Sequence, residues 1–198
     1  SLSLLMLVGS ILFGTQSISA QTKTLKFGDD GKFKIVQFTD VHWRYGDAKS
    51  EEAAERMAEV LDAEKPDLVI FTGDVVTAKP AADGLKAALK PVVERKLPFA
   101  VTFGNHDDEN DLTRAQLLEV LQGFEGNLTT STAGISGVTN YILPIKGSVA
   151  DNTASVLYLF DSNSYSPIKG VKGYGWIERD QIDWYMKSSK AFTTANGG

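Results

Sequence analysis

Three runs of mainly apolar residues in the first half of the chain each end in a short polar motif. The runs occupy residues 33–39, 67–72 and 99–103, and the segments between them carry apolar residues at helical spacing. Apolar runs of this length are typical of buried strands, and the helical spacing is typical of helices that cover a sheet. The alternation of strand and helix predicts parallel β-α units with right-handed crossovers.

Residues that start or stop helices mark the boundaries between these segments. Ser50 is predicted to cap the first helix, and Pro66 to end it. Pro91 lies inside the second helical segment, where its missing N–H is expected to kink or break the helix. Thr113 and Gln116 have the spacing of a capping box and predict the start of a third helix.

The second half of the chain has a different pattern. A stretch rich in Thr, Ser and Gly at 126–137 predicts a loop, and the segments 138–145 and 154–160 predict an antiparallel pair of strands. A last helix is predicted from Glu178 to about Lys187. Neither a repeat nor a linker divides the chain, so the pattern indicates one α/β domain whose second half is antiparallel.

Composition excludes several classes of function. The 198 residues carry a net charge of −5, which gives no electrostatic footprint for nucleic acid or for an anionic membrane. The chain has no Cys, so disulfides, thiolate catalysis and Cys-based metal sites are excluded. Affinity for a phosphorylated substrate must therefore come from a metal or from a few placed side chains.

The first twenty residues have the character of a targeting segment. An apolar run from Leu2 to Phe13 is followed by small residues up to Ala20, as in a signal peptide. The run is shorter than the roughly 20 apolar residues that a membrane-spanning helix needs. We expect residues 1–20 to be a partial signal peptide and residues 21–32 a connector, and the protein to be exported to the periplasm or secreted. A buried N-terminal helix is the alternative.

Polar side chains follow each of the three predicted parallel strands. They are Asp40 and His42 after the first, Asp74 after the second, and Asn105 and His106 after the third. Ligands of open α/β sheets bind beyond the carboxyl ends of the strands, so we expect these side chains to meet at one edge. Strand alternation would place Asp40 and His42 on the same side. Two neighbouring aspartates favour a cation between them, and carboxylate, imidazole and amide donors together suit Fe, Mn or Zn.

These strand-end motifs resemble those of a known family. Asp40-x-His42, Gly73-Asp74 and Gly104-Asn105-His106-Asp107 are similar to the first three motif blocks of the calcineurin-like metallophosphoesterases. Segments 157–165 and 173–184 resemble the branch near the purple acid phosphatases of the Dcr2 and plant type. The resemblance covers residues 33 to 187, and it implies the two-sheet metallophosphoesterase fold, an α+β-like sandwich.

The resemblance also implies a dinuclear metal site. Carried over by position, Asp40 and His42 would bind the first ion, Asp74 would bridge both ions, and Asn105 would bind the second. Both ions would be divalent or trivalent, drawn from Fe, Mn or Zn.

Catalytic roles follow from the same resemblance. His106 would face the leaving group, Asp107 would orient His106, and a hydroxide held by the metals would attack phosphorus. The implied activity is hydrolysis of phosphate esters, phosphomonoesters first, in a small molecule or a phosphoprotein. The fold does not decide among such substrates, and the sequence leaves the oligomeric state open. A solvated acidic turn at 107–110 is the alternative interpretation of Asp107.

Two departures from the family pattern bear on this prediction. Purple acid phosphatases carry a Tyr three residues after the bridging Asp, where this chain has Thr77. The family also takes three further His ligands from its C-terminal half, and no His follows His106. We therefore expect residues 33–198 to be the N-terminal portion of a longer metallophosphoesterase domain, poorly active by itself, with a natural short form as the alternative.

Two other functions fit parts of the sequence. A secreted, non-catalytic binding module would keep the fold with an incomplete metal shell. A response-regulator-like domain would hold Mg²⁺ in its acidic cluster, but the three motif blocks, the export signal and the antiparallel second half argue against it. Ordinary roles are favoured for further residues near the motifs, a loop for Trp43, Arg44 and Tyr45, and structural contacts for Asp161, Asn163, Tyr174 and Trp176.

Overall fold

The residues described by a computed structural model, 24–150 and 152–197, form two sheets and the helices that pack on them. The predicted signal peptide lies outside these residues. None of the described helices is both long and apolar enough to cross a bilayer. In chain order the elements are β1 (Ile35–Phe38), α1 (Ala48–Glu64), β2 (Leu68–Thr72), α2 (Ala81–Glu94), β3 (Phe99–Thr102), α3 (Arg114–Gln122), β4 (Tyr141–Lys146), β5 (Thr153–Leu159) and α4 (Arg179–Ala195).

The first sheet contains β1, β2 and β3, all parallel, with β2 in the centre. Val69 and Phe71 of β2 pack into a core shared with α1, α2 and α3, whereas Leu68 and Ile70 belong to a second core. Successive side chains of a strand point to opposite faces, so β2 needs apolar residues at every position when both faces are covered. The predicted parallel β-α units are confirmed.

The second sheet is the predicted antiparallel pair, β4 and β5. Tyr141, Leu143 and Ile145 are every second residue of β4, and they pack in the second core together with the inward residues of β2. The Tyr141 hydroxyl donates a hydrogen bond to the carbonyl of Val101 in β3 (2.8 Å). The β4–β5 sheet thus covers the face of the first sheet that its helices leave open, as in the two-sheet fold predicted from the motifs.

Helix α2 continues through Pro91 to Glu94, so of the two predicted effects, a kink or a break, the break is wrong. A proline removes one backbone hydrogen bond and crowds the preceding turn. Here Pro91 is buried, and its carbonyl accepts a hydrogen bond from the Arg95 guanidinium (2.9 Å). Packing on the core and this bond stabilise the last turn despite the missing N–H.

The start of α1 also differs from the prediction. The helix begins at Ala48, and Ser50 lies inside its first turn instead of at the N-cap. The Ser50 hydroxyl accepts a hydrogen bond from the backbone N–H of Arg44 (2.9 Å), so it fixes the loop before the helix. The capping box of Thr113 and Gln116 at the start of α3 is present as predicted.

Helix α4 extends to Ala195, beyond the predicted end near Lys187. Trp184 lies edge-on to aromatic rings at the end of β5, which holds the helix against the second sheet. At the far end the Asn196 side chain donates a hydrogen bond to the carbonyl of Thr153 (2.8 Å). These tertiary contacts extend a helix whose amphipathic pattern fades earlier in the sequence.

Candidate metal centre

The loops that follow β1 and β2 run side by side and bring three predicted ligands together. Backbone N–H groups of the first loop donate to carbonyls of the second, Asp40 to Gly73 (3.1 Å), His42 to Asp74 (2.8 Å) and Trp43 to Val75 (2.9 Å). These bonds continue the contact between β1 and β2 past the ends of the strands. Asp40, His42 and Asp74 therefore lie together at the carboxyl edge of the sheet.

All three of these residues have a left-handed backbone. The angle φ is +52° at Asp40, +49° at His42 and +51° at Asp74. This conformation costs an L-residue about 1–2 kcal/mol, and such strain persists at functional sites because surrounding contacts enforce it. The regular strand alternation expected to align Asp40 with His42 ends with β1 at Phe38. The two side chains converge because of the loop geometry instead.

The ligand atoms of Asp40, His42 and Asp74 lie within 4.8 Å of one another, the one such group of His, Asp and Glu in the described part of the chain. His42 Nε2 is 3.7 Å from a carboxylate oxygen of Asp40 and 3.7 Å from one of Asp74. Donors to Zn²⁺ lie about 2.0–2.2 Å from the metal, so two donors on one ion are at most about 4.4 Å apart. Small side-chain adjustments would close this set on one ion, and the donor types fit the predicted metals.

Gly73 and Gly104 let the loops after β2 and β3 touch. A Cβ added to Gly104 would lie 2.3 Å from Asp74 Oδ1, and one added to Gly73 would lie 2.7 Å from Gly104 Cα. Gly73 also has φ of +105°, a conformation that side chains rarely adopt. Both motifs contain glycine at these positions because the loop after β3 packs directly against the Asp74 segment of the loop after β2.

Asp107 is buried beneath the site and binds the backbone. Its carboxylate accepts four hydrogen bonds, from the N–H groups of Asp74 (2.9 Å), Val75 (2.7 Å), Val76 (3.2 Å) and Gly104 (2.8 Å). Burial raises the pKa of Asp107, and the bonds from Gly104, Val76 and Val75 oppose that rise. The side chain therefore holds the segment that carries Asp74 in its left-handed geometry.

His106 lies beside the three ligands and is held at several points. Its backbone N–H donates to Asp74 Oδ1 (2.8 Å), and its ring centroid is 5.6 Å from that of His42. Its Nδ1 is 2.8 Å from Glu109 Oε2. The contact with the imidazole that was expected of Asp107 is thus made by Glu109, because the Asp107 carboxylate is already turned toward the backbone.

Glu109 was missed from the sequence because the acidic stretch 107–110 is also typical of a solvated turn. The signal that indicates it is its spacing, three residues after His106 in a tight turn. The hydrogen bond with Glu109 raises the pKa of His106, although burial lowers it. The pKa of Glu109 is lowered, first by a hydrogen bond from Tyr165 and then by that from His106. Glu109 is therefore held as a carboxylate between a phenol and an imidazole.

A hairpin of residues 164–175, which we call the tyrosine hairpin, closes beside this turn. Backbone hydrogen bonds join its two arms, from Ser166 N–H to the Gly173 carbonyl (3.0 Å) and from Gly175 N–H to the Ser164 carbonyl (3.0 Å). Tyr165 and Tyr174 lie opposite each other as a bridge pair, with stacked rings at 5.6 Å.

The two phenols of the tyrosine hairpin contact the turn of residues 106–109. The Tyr165 hydroxyl donates a hydrogen bond to Glu109. The Tyr174 hydroxyl lies 3.4 Å from His106 Nε2, and the two rings meet edge to face at 5.3 Å. A structural role was favoured for Tyr174 from the sequence, whereas the structure places its phenol against the predicted catalytic imidazole.

Asp161 and Asn163 have the structural contacts that the sequence analysis favoured. Asp161 is fully buried and accepts hydrogen bonds from the backbone N–H groups of Val138 (2.9 Å), Thr139 (3.1 Å) and Asn163 (2.9 Å). It also pairs with Arg114 Nη1 (3.1 Å), a residue that the sequence did not single out. The Asn163 amide donates to the carbonyl of Trp176 (2.8 Å), which ties down the base of the tyrosine hairpin.

The remaining predicted residues flank the centre. Asn105 is partly buried and lies between Gly104 and His106, whose backbone contacts the Asp74 carboxylate. Its assignment to a second ion stays a prediction. Trp43 is buried in the helix-side core, whereas Arg44 and Tyr45 are exposed in the loop after β1.

Comparison with known proteins identifies the family of this chain. The family model described as calcineurin-like phosphoesterase matches residues 33–191. "Probable inactive purple acid phosphatase 29" of Arabidopsis thaliana is 32% identical, with 87% of this chain and 51% of that protein covered. "Phosphatase DCR2" of Saccharomyces cerevisiae is 35% identical, with 85% of this chain and 33% of that protein covered.

A solved structure supports the fold assignment. The crystal structure of a dimetal phosphatase from Danio rerio superposes with a TM-score of 0.58 at 13% identity, covering 82% of this chain and 66% of that one. The chain spans about half the length of the plant relative and a third of the yeast relative. The resemblance inferred from the three motif blocks is confirmed by the match over residues 33–191. The chain belongs to the calcineurin-like phosphoesterase family.

Proposed function

We propose that this protein is a metal-dependent phosphoesterase that hydrolyses phosphomonoesters. The observation that carries the proposal is the convergence of Asp40, His42 and Asp74 within 4.8 Å, each on a strained left-handed backbone. Strained residues that bring like charges together cost stability, so a bound cation gives the arrangement a physical reason. Family membership supports the reaction class.

Asp40, His42 and Asp74 would hold the first ion, and Asp74 with Asn105 would contribute to a second. The proposal of two ions draws on the structural neighbour, a dimetal phosphatase, and on the predicted role of Asp74 as a bridge. When bound, such ions stabilise charge on the phosphoryl oxygens and provide a nucleophile at neutral pH. Fe, Mn and Zn all suit the donor set.

The protein's own side chains would orient the metal ligands and protonate the leaving group. Asp107 holds the Asp74 loop through backbone hydrogen bonds. His106 presents Nε2 on the side of the half-exposed Tyr174 phenol, away from Glu109. A substrate whose leaving oxygen lies next to Nε2 would take the proton from that nitrogen as its P–O bond breaks.

A non-catalytic metal-binding module is the second candidate. Three plant relatives carry the name of probable inactive purple acid phosphatases. Such a module would bind a metal at the three clustered ligands and would not turn over a phosphate ester.

Metal binding tests the site without reference to turnover. We expect titration calorimetry with Zn²⁺ and Mn²⁺ to detect binding to the wild type, and the Asp74→Asn variant to bind at least about 10-fold more weakly. Asn keeps an acceptor for the His106 N–H but removes the negative charge. Asp83→Asn, at an exposed position on α2, is the matched control. Equal affinity of Asp74→Asn and the control would show that the metal site is assigned wrongly.

Turnover then separates the two candidates. The metal-loaded protein is expected to hydrolyse p-nitrophenyl phosphate faster than bis(p-nitrophenyl) phosphate. On an alkyl phosphate, whose basic leaving oxygen needs a proton, His106→Ala is expected to lower kcat by about 10²–10⁴-fold. Metal binding without turnover of any of these esters would favour the binding module. Faster turnover of the diester would contradict phosphomonoester preference while leaving the reaction class intact.

A further inference from the structure

Glu109 has no place in the function proposed above, yet it is bound on two sides. Its Oε2 lies 2.8 Å from His106 Nδ1, and its Oε1 accepts a hydrogen bond from the Tyr165 hydroxyl. Its backbone N–H donates to the carbonyl of His106 (3.2 Å), which closes the turn between the two residues. The side chains of His106 and Glu109 are only 27% and 29% exposed, so the pair is largely shielded from water.

We propose that Glu109, held in place by Tyr165, is the residue that positions the His106 imidazole for the reaction. The inference rests on the proposed function, in which His106 protonates the leaving group. It makes the tyrosine hairpin a part of the active site, although the hairpin supplies none of the three clustered metal ligands.

The chemistry of the two side chains determines which ring nitrogen carries the proton. An ionised carboxylate only accepts hydrogen bonds, so Glu109 requires a proton on Nδ1 of His106. The proton on one ring nitrogen of a histidine is set by the hydrogen bond that this nitrogen makes. Nε2 is then the nitrogen that exchanges a proton with the substrate. After Nε2 gives its proton to the leaving oxygen, the neutral ring keeps its Nδ1–H on Glu109.

No other carboxylate takes this role in the described part of the chain. The Asp107 carboxylate is occupied by four backbone N–H groups, and the Asp74 oxygen near His106 accepts the backbone N–H and not the ring. At the opposite nitrogen the neighbour is the Tyr174 hydroxyl, 3.4 Å from Nε2. The orientation of the ring therefore depends on Glu109.

Tyr165 fixes the carboxylate from the side opposite His106. Its ring stacks on Tyr174, and the base of the tyrosine hairpin is tied to the fold through Asn163 and the buried Asp161. A flexible Glu side chain held by one hydrogen bond loses rotamer freedom at a cost, whereas a second bond from a stacked phenol pre-orders it. The hydroxyl of Tyr165 is therefore expected to sharpen the preference for one tautomer.

The direct test is the tautomer of His106, read by long-range ¹H–¹⁵N correlation NMR on protein labelled with ¹⁵N-histidine. The chain has two His, so a His42→Asn variant assigns both spectra. We expect a protonated Nδ1 and an unprotonated Nε2 in the neutral ring of the metal-free and the Zn²⁺-loaded wild type. Glu109→Ala should shift the ring toward the Nε2–H form, whereas Glu109→Gln, which keeps an acceptor, should retain Nδ1–H. Tyr165→Phe should give a mixture.

Kinetics give a second readout that a merely structural residue would not move. A group that aids leaving-group protonation matters most when the leaving oxygen is basic. We expect Glu109→Ala to lower kcat by about 10- to 100-fold on an alkyl phosphate and by much less on p-nitrophenyl phosphate, with KM little changed. Glu119→Ala, an exposed glutamate on α3, is the matched control and should leave both rates unchanged.

The outcomes separate this inference from the proposed function. An Nε2–H tautomer in the wild type, or an unchanged tautomer in Glu109→Ala, would overturn the role of Glu109 even in an active phosphoesterase. Equal losses of kcat on both substrates would also overturn it. A wild type that has the Nδ1–H tautomer but no turnover would instead refute the proposed function and leave the Glu109–His106 contact standing.

Discussion

Two strands of this protein, β3 and β5, are each followed by a buried aspartate. The carboxylates of these two residues have different hydrogen-bond and ion-pair partners. Asp107, beyond β3, accepts hydrogen bonds from four backbone N–H groups and forms no ion pair with a Lys or Arg in the described part of the chain. Asp161, beyond β5, accepts three backbone N–H groups and also pairs with the guanidinium of Arg114. Both residues are at most 1% exposed.

The difference separates a local role from a long-range one. The partners of Asp107 lie in the adjacent loops after β2 and β3, beside the candidate metal centre. Its carboxylate therefore fixes the backbone of the segment that carries Asp74. The partners of Asp161 come from the entry to β4, the base of the tyrosine hairpin and helix α3, so it joins separate parts of the fold. A buried carboxylate without a cation draws on backbone dipoles, and it therefore fixes the backbone around it.

Removal of Asp161 is expected to have the largest effect on stability. Asp161→Ala leaves three N–H groups without their acceptor and removes the ion pair with Arg114, which keeps its contact with Asp108 (3.4 Å). Breaking a buried ion pair costs about 3–5 kcal/mol. Urea denaturation should show this loss in the free energy of unfolding. The folded fraction should keep its affinity for Zn²⁺ within a few-fold, and a large loss of affinity would break the distinction between the two carboxylates.

Removal of Asp107 is expected to be somewhat less destabilising but to weaken metal binding. Asp107→Ala leaves four backbone N–H groups without an acceptor, but it also removes a buried charge. We therefore expect the free energy of unfolding to fall by about 2–3 kcal/mol. Because the Asp74 segment is no longer held, Zn²⁺ affinity should fall by about 10-fold or more. Calorimetry and urea denaturation check both numbers. Asp107→Asn, of equal size, should show the same direction, since an amide cannot accept on both sides.

A methyl group at Gly104 tests the close approach of the two loops that Asp107 joins. Gly104→Ala would place its Cβ 2.3 Å from Asp74 Oδ1, so the carboxylate must shift. Overpacking of this kind costs about 1–3 kcal/mol, and we expect weaker Zn²⁺ binding than in the wild type. Gly123→Ala is the matched control, since its nearest contact is 3.3 Å and its φ is −77°. Equal metal affinity in both variants would contradict the packing argument.

The smallest expected effect on stability comes from Tyr165 of the tyrosine hairpin. Asp161 holds the base of this hairpin, and Tyr165 contacts Glu109, two residues after Asp107. The hydrogen bond to Glu109 raises the pKa of Tyr165 to about 12. The folded state thus favours the protonated phenol, so its contribution to stability is complete below pH about 10 and is lost as the pH rises through 12. Absorbance titration of phenolate should show one late-ionising tyrosine fewer in Tyr165→Phe. If the phenolate lost in Tyr165→Phe instead ionises near pH 10 in the wild type, the contact with Glu109 is contradicted.

The clustering at the candidate metal centre was predictable because parallel strands place their carboxyl ends at one edge of the sheet. Asp40, His42 and Asp74 each follow a strand or its loop, and the structure brings their ligand atoms together. The partner of His106 was not predictable in the same way. Asp107 and Glu109 are both acidic and both close to His106 in sequence, and only the buried N–H groups around Asp107 decide that Glu109 faces the ring.

By itself, the sequence determined the order of strands and helices, the antiparallel second sheet and the capping box of α3, and it indicated the three residues that cluster at the candidate metal centre. These features depend on periodicity and on neighbours in the chain, which report burial and local hydrogen bonding. The tertiary structure alone decided the left-handed backbone at three ligands, the continuation of α2 through Pro91, and the approach of Tyr165 and Tyr174 to His106. Each of these depends on contacts between backbone segments or side chains that are distant in sequence, and their energies leave no periodic trace in the residues themselves.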